Sequence, residues 1–90
     1  MINNVNAKTQ FPLQPVSGSI KTFAKNAPQG ITHILTGKST TDLPYEYCAG
    51  FVIRRATDES TVVLFSVHTL KIYVGGYSGD TWMGWATIPN

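Results

Sequence analysis

The chain has a single cysteine, Cys48, in 90 residues, which excludes an intrachain disulfide. It is also poor in charge. Asp, Glu, Lys and Arg make up 13% of it, about half the usual share. With 42% apolar and 11% aromatic residues, that excludes a charge-rich disordered chain and indicates a folded domain with a neutral-polar surface. Long hydrophobic runs are missing. The longest strictly apolar stretch is Val62–Phe65, far short of the ~20 residues that span a bilayer. The opening "MINNVNAK" lacks the apolar centre of a secretory signal, and no Asn-x-Ser/Thr acceptor occurs. The expected product is a protein made in a cytoplasm that needs another carrier to act outside it.

Catalytic constellations are equally scarce. His33 and His68 are the only imidazoles, and neither has Cys, His or carboxylate partners at metal-ligand spacing. The stretch "GGYSG" is not a Gly-x-Ser-x-Gly elbow, because Ser78 is followed directly by Gly79. The adjacent acids Asp58 and Glu59 fall at a hairpin tip, open to solvent rather than enclosed in a cleft. Cys48, beside Ala49 and Gly50, reads as a small buried hydrophobe. Neither enzyme, cofactor nor metal is expected. Residues 1–41 carry four lysines and no acid, whereas residues 42–90 carry three basic and five acidic groups. Four lysines spread over forty residues are too sparse for a nucleic-acid stripe.

Ninety residues form one domain with a thin core, and a small chain without staples often relies on self-association. Pro12 and Pro15 give residues 1–16 an extended character, read as a lead-in arm. Residues 17–27 predict a short helix. Ser17 or Ser19 caps it, Ile20, Phe23, Ala24 and Ala27 form one stripe, and Lys21 and Lys25 are expected on the opposite side. Pro28 and Gly30 end it.

Five strands are then expected, over residues 30–37, 47–57, 61–67, 70–77 and 81–88. The two- and three-residue links from the second strand to the fifth require antiparallel neighbours. The predicted fold is α+β, mostly β: a five-stranded antiparallel meander over 17–90, with one short helix and an extended N-terminal arm. In 61–67, Val63, Phe65 and Val67 oppose Val62, Leu64 and Ser66, so both faces are apolar. One helix cannot cover both, and the uncovered face has to meet the arm or a neighbouring subunit. Adjacent Arg54 and Arg55 point to opposite faces, so one crosses an apolar face or lies at a subunit boundary.

Both tryptophans lie in "GDTWMGWATIP", three residues apart. Three is out of step with the two-residue repeat of a strand. A bulge at Met83-Gly84 would put Trp82 and Trp85 on one face; without it they face opposite ways. The bulged, core-closing strand is the first reading, with Trp82 the indole left partly exposed. Tyr45, Tyr47, Tyr77, Asp80 and Trp82 are the candidate receptor-binding residues, since tyrosine and tryptophan offer flat area with a polar handle.

The segment "LKIYVGGYSGDTWMGWATI" resembles the closing hairpin of bacteriophage tail-fibre and pyocin-fibre knob domains. The matching residues are Ile72-Tyr73-Val74, the turn Ser78-Gly79-Asp80, then Trp82, Gly84, Trp85 and Ile88. A helix leading to Gly30-Ile31-Thr32, then "DLP" at 42–44 and "GFVIRRATDES" at 50–60, agree with the pattern, so the resemblance covers residues 17–88. Many such domains carry a basic or polar residue two positions after the tyrosine of the fourth strand; here Val74-Gly75-Gly76 follows Tyr73. The resemblance implies a non-enzymatic virion component at a fibre tip. It would be homotrimeric and bind a bacterial surface glycan or protein, with no nucleic acid and no membrane insertion. A purely structural tip component and a small free-standing protein that binds a host factor remain the alternatives.

Overall fold

The computed structural model describes residues 12–90. Its elements, in chain order, are β1 (Gln14–Pro15), β2 (Gly18–Ser19), α1 (Ile20–Asn26), β3 (Gly30–Leu35), β4 (Thr40–Thr41), β5 (Ala49–Ala56), β6 (Glu59–Ser66), β7 (Lys71–Ser78) and β8 (Thr81–Ile88). The fold is mostly β with one short helix. Strands β3, β5, β6, β7 and β8 are antiparallel neighbours in that order, as the short links require from β5 to β8. At the β7–β8 turn both Gly79 and Asp80 have positive φ, the geometry that matches the twist of a two-residue hairpin.

The expected five-stranded antiparallel meander needs one correction. The main sheet has six strands and is mixed, because β1 adds to its edge in parallel with β3. Beside it, β2 and β4 make a second two-stranded parallel pair. Gln14, Pro15 and Val16, expected in the lead-in arm over 1–16, are part of the fold: Gln14 and Pro15 pair with β3, and Val16 is a core residue at 3% exposure. Its backbone N–H donates to Leu35 O, and its carbonyl accepts from Thr40 Oγ1 at 2.6 Å. The part of that expectation that concerns residues 1–11 lies outside the described residues.

Helix α1 is shorter than the 17–27 expected, since Gly18 and Ser19 are held extended by β4. Ser19 is the cap, its Oγ accepting from Lys21 N and Thr22 N, as a hydroxyl at this position does. The predicted stripe holds. Ile20, Ala24 and Ala27 are buried and Phe23 packs against the core.

That core lies between α1 and one face of the sheet. Its largest fully buried side chains are Ile20, Ile34, Val52, Val62 and Leu64, each burial contributing roughly 1.5–3 kcal/mol. The loop before β5 covers the end of the face that α1 leaves bare, through Leu43 and Tyr45. The opposite face has no covering element among the described residues.

The two arginines separate as predicted. Arg55 is exposed at a bulge and pairs with Glu59, Nη2 to Oε1, at 2.6 Å. Arg54 crosses the helix-side face and is 8% exposed. Its guanidinium donates to Ala56 O and Thr57 O at 3.2 and 2.7 Å, and to Ala24 O at 2.7 Å and Lys25 O on the last turn of α1. A cation at a helix C-terminus satisfies orphan carbonyls and meets the negative end of the macrodipole. The apolar-face crossing is thus internal to the protomer.

Candidate functional site

Strand β8 pairs with β7 through Gly75↔Trp85 and Tyr77↔Trp82. One residue on β7, Gly76, thus opposes two on β8, a bulge at Met83-Gly84. Gly84 has φ +95°, a conformation that an L side chain resists. The bulge resets the alternation, and both indoles turn to the helix side.

There they form a row. Tyr77 and Trp82 meet edge to face at 5.2 Å between centroids, and Trp82 and Trp85 do so at 5.3 Å. Gly75 makes room for them, because a Cβ there would stand 2.8 Å from both Trp82 Cη2 and Trp85 Cε3. Trp85 packs against the core and its Nε1 donates to Asp42 O at 3.2 Å. Asp42 in turn accepts from Ser19 Oγ through its carboxylate. Trp82 is half-buried and makes no such hydrogen bond among the described residues.

The lysines of α1 require a second correction, for they are not opposite the apolar stripe. Lys21 Nζ lies 5.3 Å from the Trp82 ring centroid and Lys25 Nζ 5.6 Å from that of Tyr77. Such cation–π contacts are worth about 0.5–1 kcal/mol each near a surface. The spacing carried a signal that was read too coarsely. A residue one position after a stripe residue is about 100° round a helix, not 180°, so Lys21 and Lys25 flank Ile20 and Ala24.

The five candidate residues divide into two groups. Tyr77, Asp80 and Trp82 lie at the β7–β8 hairpin. The Asp80 side chain is exposed at its tip, while its backbone N–H donates to Asp58 O at 3.1 Å and ties two hairpin tips together. Tyr45 and Tyr47 lie toward the other end of β7, where Tyr73 sits. That tyrosine is four residues, or about 13 Å, from Tyr77 along the strand. Tyr45 stacks on buried Tyr73 at 6.5 Å with an interplanar angle of 9°, and its hydroxyl is 3.1 Å from His68 Nδ1. It is therefore committed to packing. Tyr47 is 42% exposed and tilts against His68 at 6.3 Å. His68 and Trp85 are members of these groups that the candidate set omitted.

Cys48 is buried, and burial pushes its thiol pKa up, opposed by the Thr36 hydroxyl. Its Sγ donates to Tyr45 O at 3.5 Å. A neutral, buried thiol is a poor nucleophile, consistent with a packing role. Among the described residues no three His, Cys, Asp or Glu side chains gather as a metal site.

The row has a built-in test. Gly75→Ala is expected to displace the less anchored Trp82 and cost about 1–2 kcal/mol, as modest overpacking does. Tryptophan emission should shift to the red with the thermal transition still cooperative; unchanged emission would show that both indoles tolerate the methyl group.

The bulged strand, the indole row and the lysines across it define a β domain with a partly exposed aromatic ledge. Comparison with models of known families, with curated proteins and with solved structures finds no match for this chain.

Proposed function

We propose that this chain is a non-enzymatic knob-like module of a bacteriophage tail fibre or tail-like particle. It trimerises and binds a glycan or protein on the bacterial surface. The observation that carries this reading is the Tyr77–Trp82–Trp85 row, with both indoles brought to one face by the Gly84 bulge. A sugar ring presents an apolar C–H face to such a ledge, and the ammonium groups of Lys21 and Lys25, which lie over its rings, can read its polar edge; Asp80 is at the tip of the same hairpin. In protein recognition the same residue types are the usual anchors.

Adsorption of the labelled protein to a panel of Gram-negative and Gram-positive cells, and to their extracted surface polysaccharides, tests the reading. An anchor of about 2 kcal/mol predicts that Trp82→Ala weakens binding about thirtyfold, with a thermal transition that stays cooperative but moves several degrees lower as the contacts with Tyr77, Trp85 and Lys21 are lost. Tyr47→Ala reports separately on the other group. Parent-level binding by Trp82→Ala would move the contact away from the row.

One observation favours the purely structural alternative. The aromatic faces of Tyr77 and Trp82 are already met by lysines of the same chain. A parent protein that binds none of the cells or polysaccharides would support that reading.

A further inference from the structure

Helix α1 carries different chemistry on its two flanks. On one, Thr22, Phe23 and Asn26 meet Gln14 and Thr32 around a cleft of about 610 Å³ with no charged side chain in its lining. On the other, Lys21 and Lys25 lie over Trp82 and Tyr77, two rings whose centroids are 5.2 Å apart. Four residues rise about 6 Å along a helix, so the two lysine stems leave α1 at nearly the spacing of the rings.

Neither cation is neutralised. The one ion pair among the described residues joins Arg55 to Glu59, so no carboxylate stands within 4.0 Å of either ammonium. The other four acids are placed elsewhere. Asp42 accepts from Ser19 at the helix cap, Asp58 and Asp80 stand at the two hairpin tips, and Glu46 lies in the loop before β5. Residues 1–11 contain no acid, so the rest of the chain supplies no counter-charge either.

This arrangement discriminates between ligands. A neutral ring that stacks on the row has to displace the lysines and gives them nothing in return. A carboxylate or phosphate offers each ammonium a charge-assisted hydrogen bond, which outweighs a cation–π contact at a surface. An anion therefore draws the ammonium groups off the ring faces and frees those faces for stacking. The stems are close enough for both ammonium groups to converge on one anionic group.

We infer that the aromatic row takes an acidic saccharide, its carboxylate or phosphate held between Lys21 and Lys25 and its ring on Trp82. The inference rests on the surface-binding reading above and names the class of ligand that the row selects.

The probe is polysaccharide extracted from the cells to which the protein adsorbs, immobilised untreated, after carboxyl reduction, and after dephosphorylation with hydrofluoric acid. At least one treatment is expected to weaken binding by the parent at least tenfold, and which one does so distinguishes a uronic acid from a sugar phosphate. Raising the salt should weaken binding to the untreated polymer as well. Lys21→Gln/Lys25→Gln is expected to bind untreated polymer at least tenfold more weakly than the parent, to ignore the treatments, and to keep its circular dichroism spectrum. Should that variant not fold, Lys25→Gln alters a single exposed side chain and is expected to lose at least threefold. Poly-glutamate, which has carboxylates and no sugar, should compete at least tenfold less well than untreated polymer; equal competition overturns the saccharide. Binding that survives both treatments overturns the anionic ligand and leaves the row as the binding surface. Acid-selective binding kept by the double variant overturns the role of α1. Adsorption abolished by protease treatment of the cells, with no binding to polysaccharide, overturns the saccharide in favour of a protein. A parent that adsorbs to no cell overturns the surface-binding reading and this inference with it.

Discussion

Arg54→Met is expected to lower the unfolding free energy by about 3 kcal/mol, in the range for breaking a buried, charge-assisted hydrogen-bond cluster. The variant keeps most of the aliphatic stem, so the loss reports on the guanidinium. That group joins carbonyls of the β5–β6 turn region, on Ala56 and Thr57, to carbonyls of Ala24 and Lys25 on α1. Elements thirty residues apart are held by one planar fork, a task suited to arginine. Arg54→Lys retains the charge but cannot reach both sides at once, and should recover about half of the loss. In a domain of this size 1 kcal/mol corresponds to about 4–8 °C, so the methionine variant should melt about 12–24 °C lower. A drop of less than 4 °C would show that water serves those carbonyls equally well. The consequence reaches the ledge, because α1 carries the lysines that lie over Trp82 and Tyr77.

Gly50→Ala is expected to cost more than about 4 kcal/mol and to leave the domain unfolded or insoluble. A Cβ at Gly50 would stand 1.8 Å from Val63 O and 2.9 Å from Val63 C. Those are backbone atoms of the central strand, so no rotamer change relieves the clash, and overpacking against a rigid partner exceeds the usual 1–3 kcal/mol. Relief requires β5 and β6 to separate where Val52 and Leu64 are fully buried. Gly37→Ala is the control. Its nearest atom would be Tyr47 Cε1 at 3.9 Å, an ordinary contact, and it should leave the urea midpoint within experimental error. Equal soluble yield and equal midpoints for the two variants would show that the strand pair yields more readily than its geometry indicates.

Much of the fold was legible because local rules agree with one another. The Ile20, Phe23, Ala24, Ala27 stripe, the Ser19 cap and Pro28 all point to one helix turned one way. Links of two to four residues force antiparallel neighbours, which set the order from β5 to β8. The glycine between two out-of-step tryptophans announced a bulge, and Gly84 carries it. The edge strand β1 and the β2–β4 pair were not legible. Each is two residues long, too short for a period, and each depends on a partner twenty or more residues away.

The candidate site was less legible than the fold. Tyr45 and Trp82 look alike in the sequence, as aromatics beside turns. One is spent on a stack with Tyr73 and a bond to His68; the other stays half-exposed under a lysine. That difference comes from contacts at long range, which no local pattern encodes.

The sequence by itself determined that this is a disulfide-free, mostly β domain with one amphipathic helix, a bulged last strand and more apolar sheet surface than that helix can cover. Those follow from composition and from periods of two and 3.6 residues, which depend only on neighbours along the chain. The tertiary structure alone decided that Arg54 turns inward to the helix end, that Lys21 and Lys25 lie over the aromatics, and that the tyrosines fall into two separate groups. Each of these depends on which distant backbone happens to lie within hydrogen-bond or van der Waals reach once the sheet has closed on its helix.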